Sequence, residues 1–292
     1  MPRIMTILTG LFTSVLLHSG AQAAEGAVIS YSDPALPSHT IYRPFQLEGE
    51  LPVVLWGNGS CVASNFGYRE FLTQVAVQGF IVVALGPWRD SPPPPQQRPA
   101  DPAEWPPFET QPEQLLAGLD WLTAQHSQAG SDLQGHVDST RVAVMGHSCG
   151  GMQSIKVSTD PRITTTLVLN SGVFPEGDQY NARFGLTRGT LAELHAPIAY
   201  FIGGESDIAY VNAEQDWADL QQLDIPAINA NLDVGHGATY REPGGGAFAA
   251  GPIAWLRWRL LDAADAAAQF SGETCMFCGG DSGWRLRTHN IE

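Results

Sequence analysis

Basic side chains are scarce in this 292-residue chain: 15 Lys and Arg stand against 30 Asp and Glu, a formal net charge of −15 at pH 7. A surface of that sign repels phosphate backbones, which argues against nucleic acid as a partner. Also missing are an HExxH zinc motif, a phosphate-binding P-loop and a dinucleotide-type glycine pattern after a strand. No metal and no cofactor is therefore expected, and Gly244–Gly246 reads as a loop. Beyond the first two dozen residues no apolar run reaches the about 20 residues of a membrane-spanning helix, so no stable membrane partner is expected. There is no internal repeat and no sign of a second domain. A single-domain monomer is the expectation.

What is present is an ordinary globular composition, 43% hydrophobic and 15% charged. The start of the chain reads as a leader. Arg3 precedes a mostly apolar run, Ile4 to Leu17, and Ala21-Gln22-Ala23 offers small residues at a cleavage site. A membrane anchor is the competing reading, but the run is too short. The expectation is a signal peptide over 1–23, a mature chain over 24–292, and a secreted or periplasmic protein. Outside the cytosol the four cysteines, Cys61, Cys149, Cys275 and Cys278, are expected in disulfides, with three pairings open. Cys275 and Cys278 could close a short ring; zinc would need further ligands, and only His289 lies nearby.

Strand-like stretches near 27–32 and 40–45 precede Leu51–Trp56 and its glycine loop Gly57–Cys61. A helix over Tyr68–Gln78 stops at Gly79, and Phe80–Leu85 is again an apolar strand. Residues 91–112 hold nine of the 21 prolines, which excludes regular helix or central strand. The alternation then resumes: helix 114–125, strand 141–145, helix, strand 165–169, an irregular segment to about His195, strand 198–202, helix 211–223, strand 227–232, helix 251–261. Strands alternating with helices predict an α/β fold, a mostly parallel central sheet covered on both faces. Residues 271–292 are left as a cysteine-containing extension.

The strand Arg141–Met145 runs straight into Gly-His-Ser-Cys-Gly-Gly. One reading of Ser148 is a plain helix N-cap. The other is a nucleophile held on a tight strand-to-helix turn, which needs a histidine base and an orienting acid in the order serine, acid, histidine. Three histidines follow Ser148. His289 sits in a charged tail that reads as solvated, and His195 lies at the amino end of a strand. His236 follows the last apolar strand in Asp-Val-Gly-His-Gly, at the carboxyl edge where ligands bind in such sheets. Between serine and histidine, Ile198–Ile202 delivers Gly-Gly-Glu-Ser-Asp. Asp207 is the candidate acid, ahead of Glu205 and Asp233, with a helix-capping role as the plainer alternative. One oxyanion donor would be the Cys149 N–H, and the other would come from Gly57–Cys61.

With these motifs in place, WGNGSC, GHSCG, GGESD and DVGHG over about residues 40–262, the chain resembles the α/β-hydrolase superfamily. Within it the chain looks most like the dienelactone-hydrolase-like and cutinase-like polyester hydrolases. The resemblance implies the α/β-hydrolase fold with a small cap or none, and Ser60 as the second oxyanion donor, with Asn58 as the alternative. That branch usually carries methionine after the serine, where this chain has Cys149, so the lining of the site differs. Two backbone donors aimed at one oxygen lie close together, so Cys61, beside one donor, is expected to pair with Cys149, leaving Cys275 for Cys278.

Trp56, Trp88, Trp105 and Phe108, with Phe66 nearby, are candidate substrate contacts on the catalytic edge, although Trp56 fits a core position equally well. The proline-rich loop would rim the site, and 174–188 could form a small cap. The expected activity is a secreted serine hydrolase of carboxylic esters, small or polymeric, working through an acyl-enzyme. A serine peptidase or acyltransferase would share the same apparatus, whereas a non-catalytic binding protein would be expected to lack a triad member.

Overall fold

The computed structural model describes residues 28–94 and 107–291. The expected leader and Trp105 lie outside them. Nine strands are found among the described residues: β1 (Val28–Tyr31), β2 (His39–Pro44), β3 (Leu51–Gly57), β4 (Ile81–Leu85), β5 (Val137–His147), β6 (Thr165–Leu169), β7 (Ile198–Ile202), β8 (Ala227–Leu232) and β9 (Trp284–His289). They form one sheet in the order β1-β2-β4-β3-β5-β6-β7-β8-β9. The six strands from β4 to β8 in that order run parallel, while β1, β2 and β9 pair antiparallel at the two margins. This is the α/β-hydrolase fold.

The connecting helices are α1 (Arg69–Val77), α2 (Pro112–Ser127), α3 (Cys149–Val157), α4 (Gln179–Phe184), α5 (Tyr210–Leu220), α6 (Ala250–Leu261) and α7 (Ala264–Ala267). Alternation along each strand sorts the core into two faces. Val54, Trp56, Ala143, Met145 and Phe201 pack under α1 and α6, against Phe71, Leu72, Trp255 and Leu256. Val53, Leu55 and Val144 face α2 through Leu115, Leu119 and Leu122. Ile198 and Tyr200 face α3 and α5 through Ile155, Trp217 and Leu220. With both faces covered, the central strands read as unbroken apolar runs, IVVAL and IAYFI among them.

The connection from β3 passes through α1 to β4 on one side, and β5 lies on the other side of β3. The chain order thus reverses at β3, and the crevice beyond its carboxyl end is where such sheets take ligands. Helix α2 starts two residues earlier than expected because Pro112 takes its first position and the Gln111 N–H bonds the Gln114 side chain (2.7 Å).

Two expectations are corrected. The segment from 271 is not wholly an extension, because Trp284–His289 adds a ninth strand antiparallel to β8. His289 is not in a solvated tail: it sits on that strand, with Nε2 on the Leu223 carbonyl (2.9 Å). The segment expected as a cap contains α4, whose Phe184 is buried in the same cluster as Trp217 and Cys61.

Candidate active site

Ser148 lies between β5 and α3 with φ 53° and ψ −119°, a conformation that side chains rarely adopt. The flanking glycines explain how it is tolerated. A Cβ on Gly146 would collide with the Gly150 carbonyl, and one on Gly150 would collide with the Gly57 carbonyl of the neighbouring loop. The turn is therefore pressed against its own helix and against the end of β3. The Ser148 N–H donates to the Leu169 carbonyl (2.9 Å) and the Ser171 hydroxyl donates to the Ser148 carbonyl (2.6 Å), so the end of β6 holds the turn from the other side.

His236 Nε2 stands 3.0 Å from Ser148 Oγ, and its Nδ1 stands 2.6 Å from Asp207 Oδ1. A carboxylate at Nδ1 fixes the proton there, leaving Nε2 to accept from the serine hydroxyl. Asp207 is buried and also accepts from the Gly203 N–H (3.0 Å), the Ala209 N–H (2.9 Å) and the Asn170 amide (2.7 Å). Burial alone would raise its pKa, but His236 and these donors outweigh it and hold the carboxyl below its usual range. Glu205 and Asp233, the other candidate acids, are exposed. The histidine and acid loops interlock: Val234 and Gly235 donate to the Gly203 carbonyl, and a Cβ on Gly203 would collide with Gly235. His195 faces the other edge, on the Ile163 carbonyl (3.1 Å).

In the loop after β3, Ser60 and Cys61 both have positive φ, 58° and 50°. Ser60 is exposed at its tip. Cys149 opens α3, so its N–H is among the four that a helix leaves without an internal partner. Cys61 and Cys149 form a disulfide with Cα atoms 5.3 Å apart, joining the two loops, and Cys275 pairs with Cys278. Asn58 is fully buried. Its side chain accepts from Trp56 Nε1 (2.8 Å) and donates to the carbonyls of Val62 (3.0 Å) and Leu85 (2.7 Å), so it braces the loop from beneath.

The aromatic candidates separate. Trp56 is not a substrate contact: it is fully buried and packs on Tyr68 (4.9 Å between centroids) and Phe71 (5.5 Å). Phe66 lies in the 3-10 turn Phe66–Tyr68 just before α1, with the Arg69 guanidinium 4.5 Å over its ring. Trp88 is 43% exposed and bonds Ser30 of β1 through its indole N–H (3.1 Å), over the outer antiparallel edge. Phe108 stacks on Phe184 (5.0 Å) and Tyr180 (6.3 Å), against the cluster that holds Cys61 and Cys149. A cavity of about 340 Å³ opens beside it, lined by Pro107, Phe108, Gln111 and Arg183.

Several residues around the site have no role in the sequence reading. Tyr240 donates to Asn170 Oδ1 (2.6 Å), the same amide that serves Asp207. His147 is buried next to the serine, with Nδ1 2.8 Å from the Tyr68 hydroxyl and Nε2 2.8 Å from the His236 carbonyl. Burial drives its pKa down to about 4, with the charge of His236 adding to the effect and the His236 carbonyl and Asp207 opposing it. Burial likewise pushes Tyr68 up to about 12. The signal for His147 was available: it lies two residues after Met145 on β5, and so on the same inward face. For Tyr68 and Tyr240 no local signal exists.

Among the described residues no helix is long and apolar enough to cross a membrane. Residues 37–171 match a family model described as PETase, PET hydrolase-like. The matched span includes the β3 loop and Ser148 but ends before Asp207 and His236. No curated protein matches the chain.

Proposed function

We propose that this chain, a member of the α/β-hydrolase superfamily, is a serine hydrolase of carboxylic esters that acts outside the cytosol. The observation that carries the reading is the hydrogen-bonded line Ser148 Oγ, His236, Asp207, at 3.0 and 2.6 Å, beyond the carboxyl ends of three parallel strands. As Ser148 Oγ bonds to the ester carbonyl carbon, its proton passes to His236 Nε2. The imidazolium is held by Asp207, and the carbonyl oxygen takes the negative charge. The N–H groups of Ser60 and Cys149 would receive that oxygen. His236 then gives its proton to the leaving alkoxide, an acyl-enzyme remains, and water repeats the sequence to release the acid.

The match to a PET hydrolase-like family favours polyesters or the short esters that mimic them. The shortness of α4, six residues in the segment after β6, suits a site open enough for a polymer chain. The two disulfides and the leader-like first 23 residues support export.

The test is hydrolysis of p-nitrophenyl esters from acetate to palmitate, with Ser148→Ala alongside, followed by polyester films. Activity confined to short chains and lost in the variant supports the reading. Equal rates for both proteins, with no labelling of Ser148 by a fluorophosphonate, reject it.

A further inference from the structure

We infer that Tyr68 and His147 are positioning residues of this site: a chain of hydrogen bonds from the Gly59 N–H through Tyr68 and His147 to the His236 carbonyl sets the loop after β3 against the loop that carries the base. The inference rests on the proposed hydrolase reading and adds a role for two residues outside the triad.

The direction of every bond in the chain is forced. The His236 carbonyl can only accept, so His147 carries its proton on Nε2 and donates there (2.8 Å). His147 Nδ1 must then accept, and the Tyr68 hydroxyl supplies the proton (2.8 Å). The Gly59 N–H can only donate, and Tyr68 Oη accepts from it (3.0 Å). With both ring nitrogens engaged and the ring buried, His147 has no position from which to act as a base itself.

The local sequence makes sense only with this chain in place. Gly59 has an ordinary φ, so backbone freedom does not require glycine there. Space does: a Cβ would collide with Tyr68 Oη and His147 Nδ1. The residues that follow, Ser60 and Cys61, hold positive φ without being glycine and need outside support to stay there. The disulfide holds this loop at Cys61, and Tyr68 holds it at Gly59, one residue before the proposed donor. At the other end, the base is flanked by Gly235 (φ 70°) and Ala238 (φ 42°), in a loop with little regular structure of its own. The bond from His147 to the His236 carbonyl fixes that residue's backbone. The His147 and His236 rings lie 4.9 Å apart, while Tyr240 closes the far side of His147 at 5.1 Å. Oxyanion donor and base act on the same tetrahedral centre, so an error of about 1 Å between their loops costs on the order of 100-fold in rate.

The test uses the full mature protein, with rates expressed per site titrated by fluorophosphonate and with Tm measured for every variant. Wild-type hydrolysis that depends on Ser148 comes first. If it is absent, the hydrolase reading fails and this inference falls with it, before any positioning variant is made. Tyr68→Phe keeps the ring that packs on Trp56 and Tyr240 while removing the hydroxyl. It is expected to lower kcat about 10- to 100-fold with KM changed less than about threefold. His147→Leu is expected to match it, whereas His147→Gln, which can still donate to the His236 carbonyl, should recover much of the loss. Because the two residues form one chain, the Tyr68→Phe/His147→Leu double variant should be little worse than either single one. Wild-type kcat per titrated site in Tyr68→Phe, with only Tm or the titratable fraction reduced, would mean a merely structural role and overturn the inference. So would multiplicative losses in the double variant.

Discussion

Replacing Cys61 and Cys149 together by alanine removes a bond that closes 88 positions of chain. By the loop-entropy relation, a closure of that size stabilises the folded state by about 4.6 kcal/mol. The same relation gives only about 1.6 kcal/mol for Cys275–Cys278, which are three positions apart. At about 2–4 °C per kcal/mol for a chain of this size, the first pair is worth roughly 9–18 °C in Tm and the second roughly 3–6 °C. The catalytic consequence is separate. Cys149 keeps its place at the start of α3, but Ser60 and Cys61 lose the tie that holds their positive-φ backbone. The Thr110 N–H and hydroxyl still reach the Cys61 carbonyl (3.1 Å each), and Gln153 still bonds Thr110, so the loop is loosened rather than freed. A fall in kcat of about 10- to 100-fold is expected, below the full loss of an oxyanion donor. Thermal unfolding of both double variants, with kcat on a p-nitrophenyl ester measured well below each Tm, separates the two effects. If the Cys61/Cys149 variant melts no lower than the Cys275/Cys278 variant, the loop-closure reasoning is wrong. If it melts lower but turns over at the wild-type rate, the disulfide has no part in setting the oxyanion loop.

Three further outcomes are expected. Asp207→Asn should keep the fold but leave His236 in the wrong tautomer, lowering kcat by about 10⁴-fold in steady-state assays; a loss under tenfold would displace Asp207 from the proposed role. Gly150→Ala forces a Cβ into the Gly57 carbonyl and should cost on the order of 1–3 kcal/mol in denaturant unfolding, together with activity, since the elbow and the β3 loop must part. Asp216 is buried against the Tyr200 hydroxyl (2.9 Å), the Val173 N–H (2.8 Å) and Arg188 (3.1 Å), and burial pushes its carboxyl from 3.8 to about 7. Between those values the folded protein holds a proton that the unfolded chain releases, so this group's contribution falls as pH rises through the window. Asp216→Asn should therefore flatten the decline in Tm between about pH 4 and 7 relative to wild type; identical pH profiles would contradict the shift.

Parts of the molecule that bury a continuous apolar run could be read residue by residue. β6, β7 and β8 lie where their sequences place them, because each is a short, mostly apolar and fully buried stretch followed by a polar or glycine residue at the catalytic edge. The positions of Ser148, Asp207 and His236 follow from the same property, since each comes just after such a run. β9 escaped because Trp-Arg-Leu-Arg-Thr-His buries only its tryptophan. As an edge strand that carries two arginines, Arg285 and Arg287, it has the composition of a solvated tail. Trp56 was open to misplacement for the opposite reason. It stands near the end of β3, close to the site in sequence, yet alternation from Val54 turns it inward under α1.

The supports of the site are harder to read, because they are made by pairs far apart in the chain. Tyr68 meets His147 across 79 positions, and Asn170 meets Asp207 across 37. No window of sequence contains either pair. What the sequence does carry is their steric imprint. Gly59 leaves room for a hydroxyl and an imidazole, Gly150 for a carbonyl, and Gly203 for the loop of the base. Ser60, Cys61 and Ser148 are among the residues of the site that sit at positive φ without being glycine. Each such residue costs on the order of 1–3 kcal/mol and persists only where its surroundings over-determine it. Around these three the surroundings are a disulfide, a close glycine contact between the end of β3 and the first turn of α3, and a buried Tyr–His chain, all converging within a few residues of the strained positions. Strain and restraint thus coincide around one point, the gap between Ser148 and the loop after β3, where the proposed reaction places its tetrahedral oxygen.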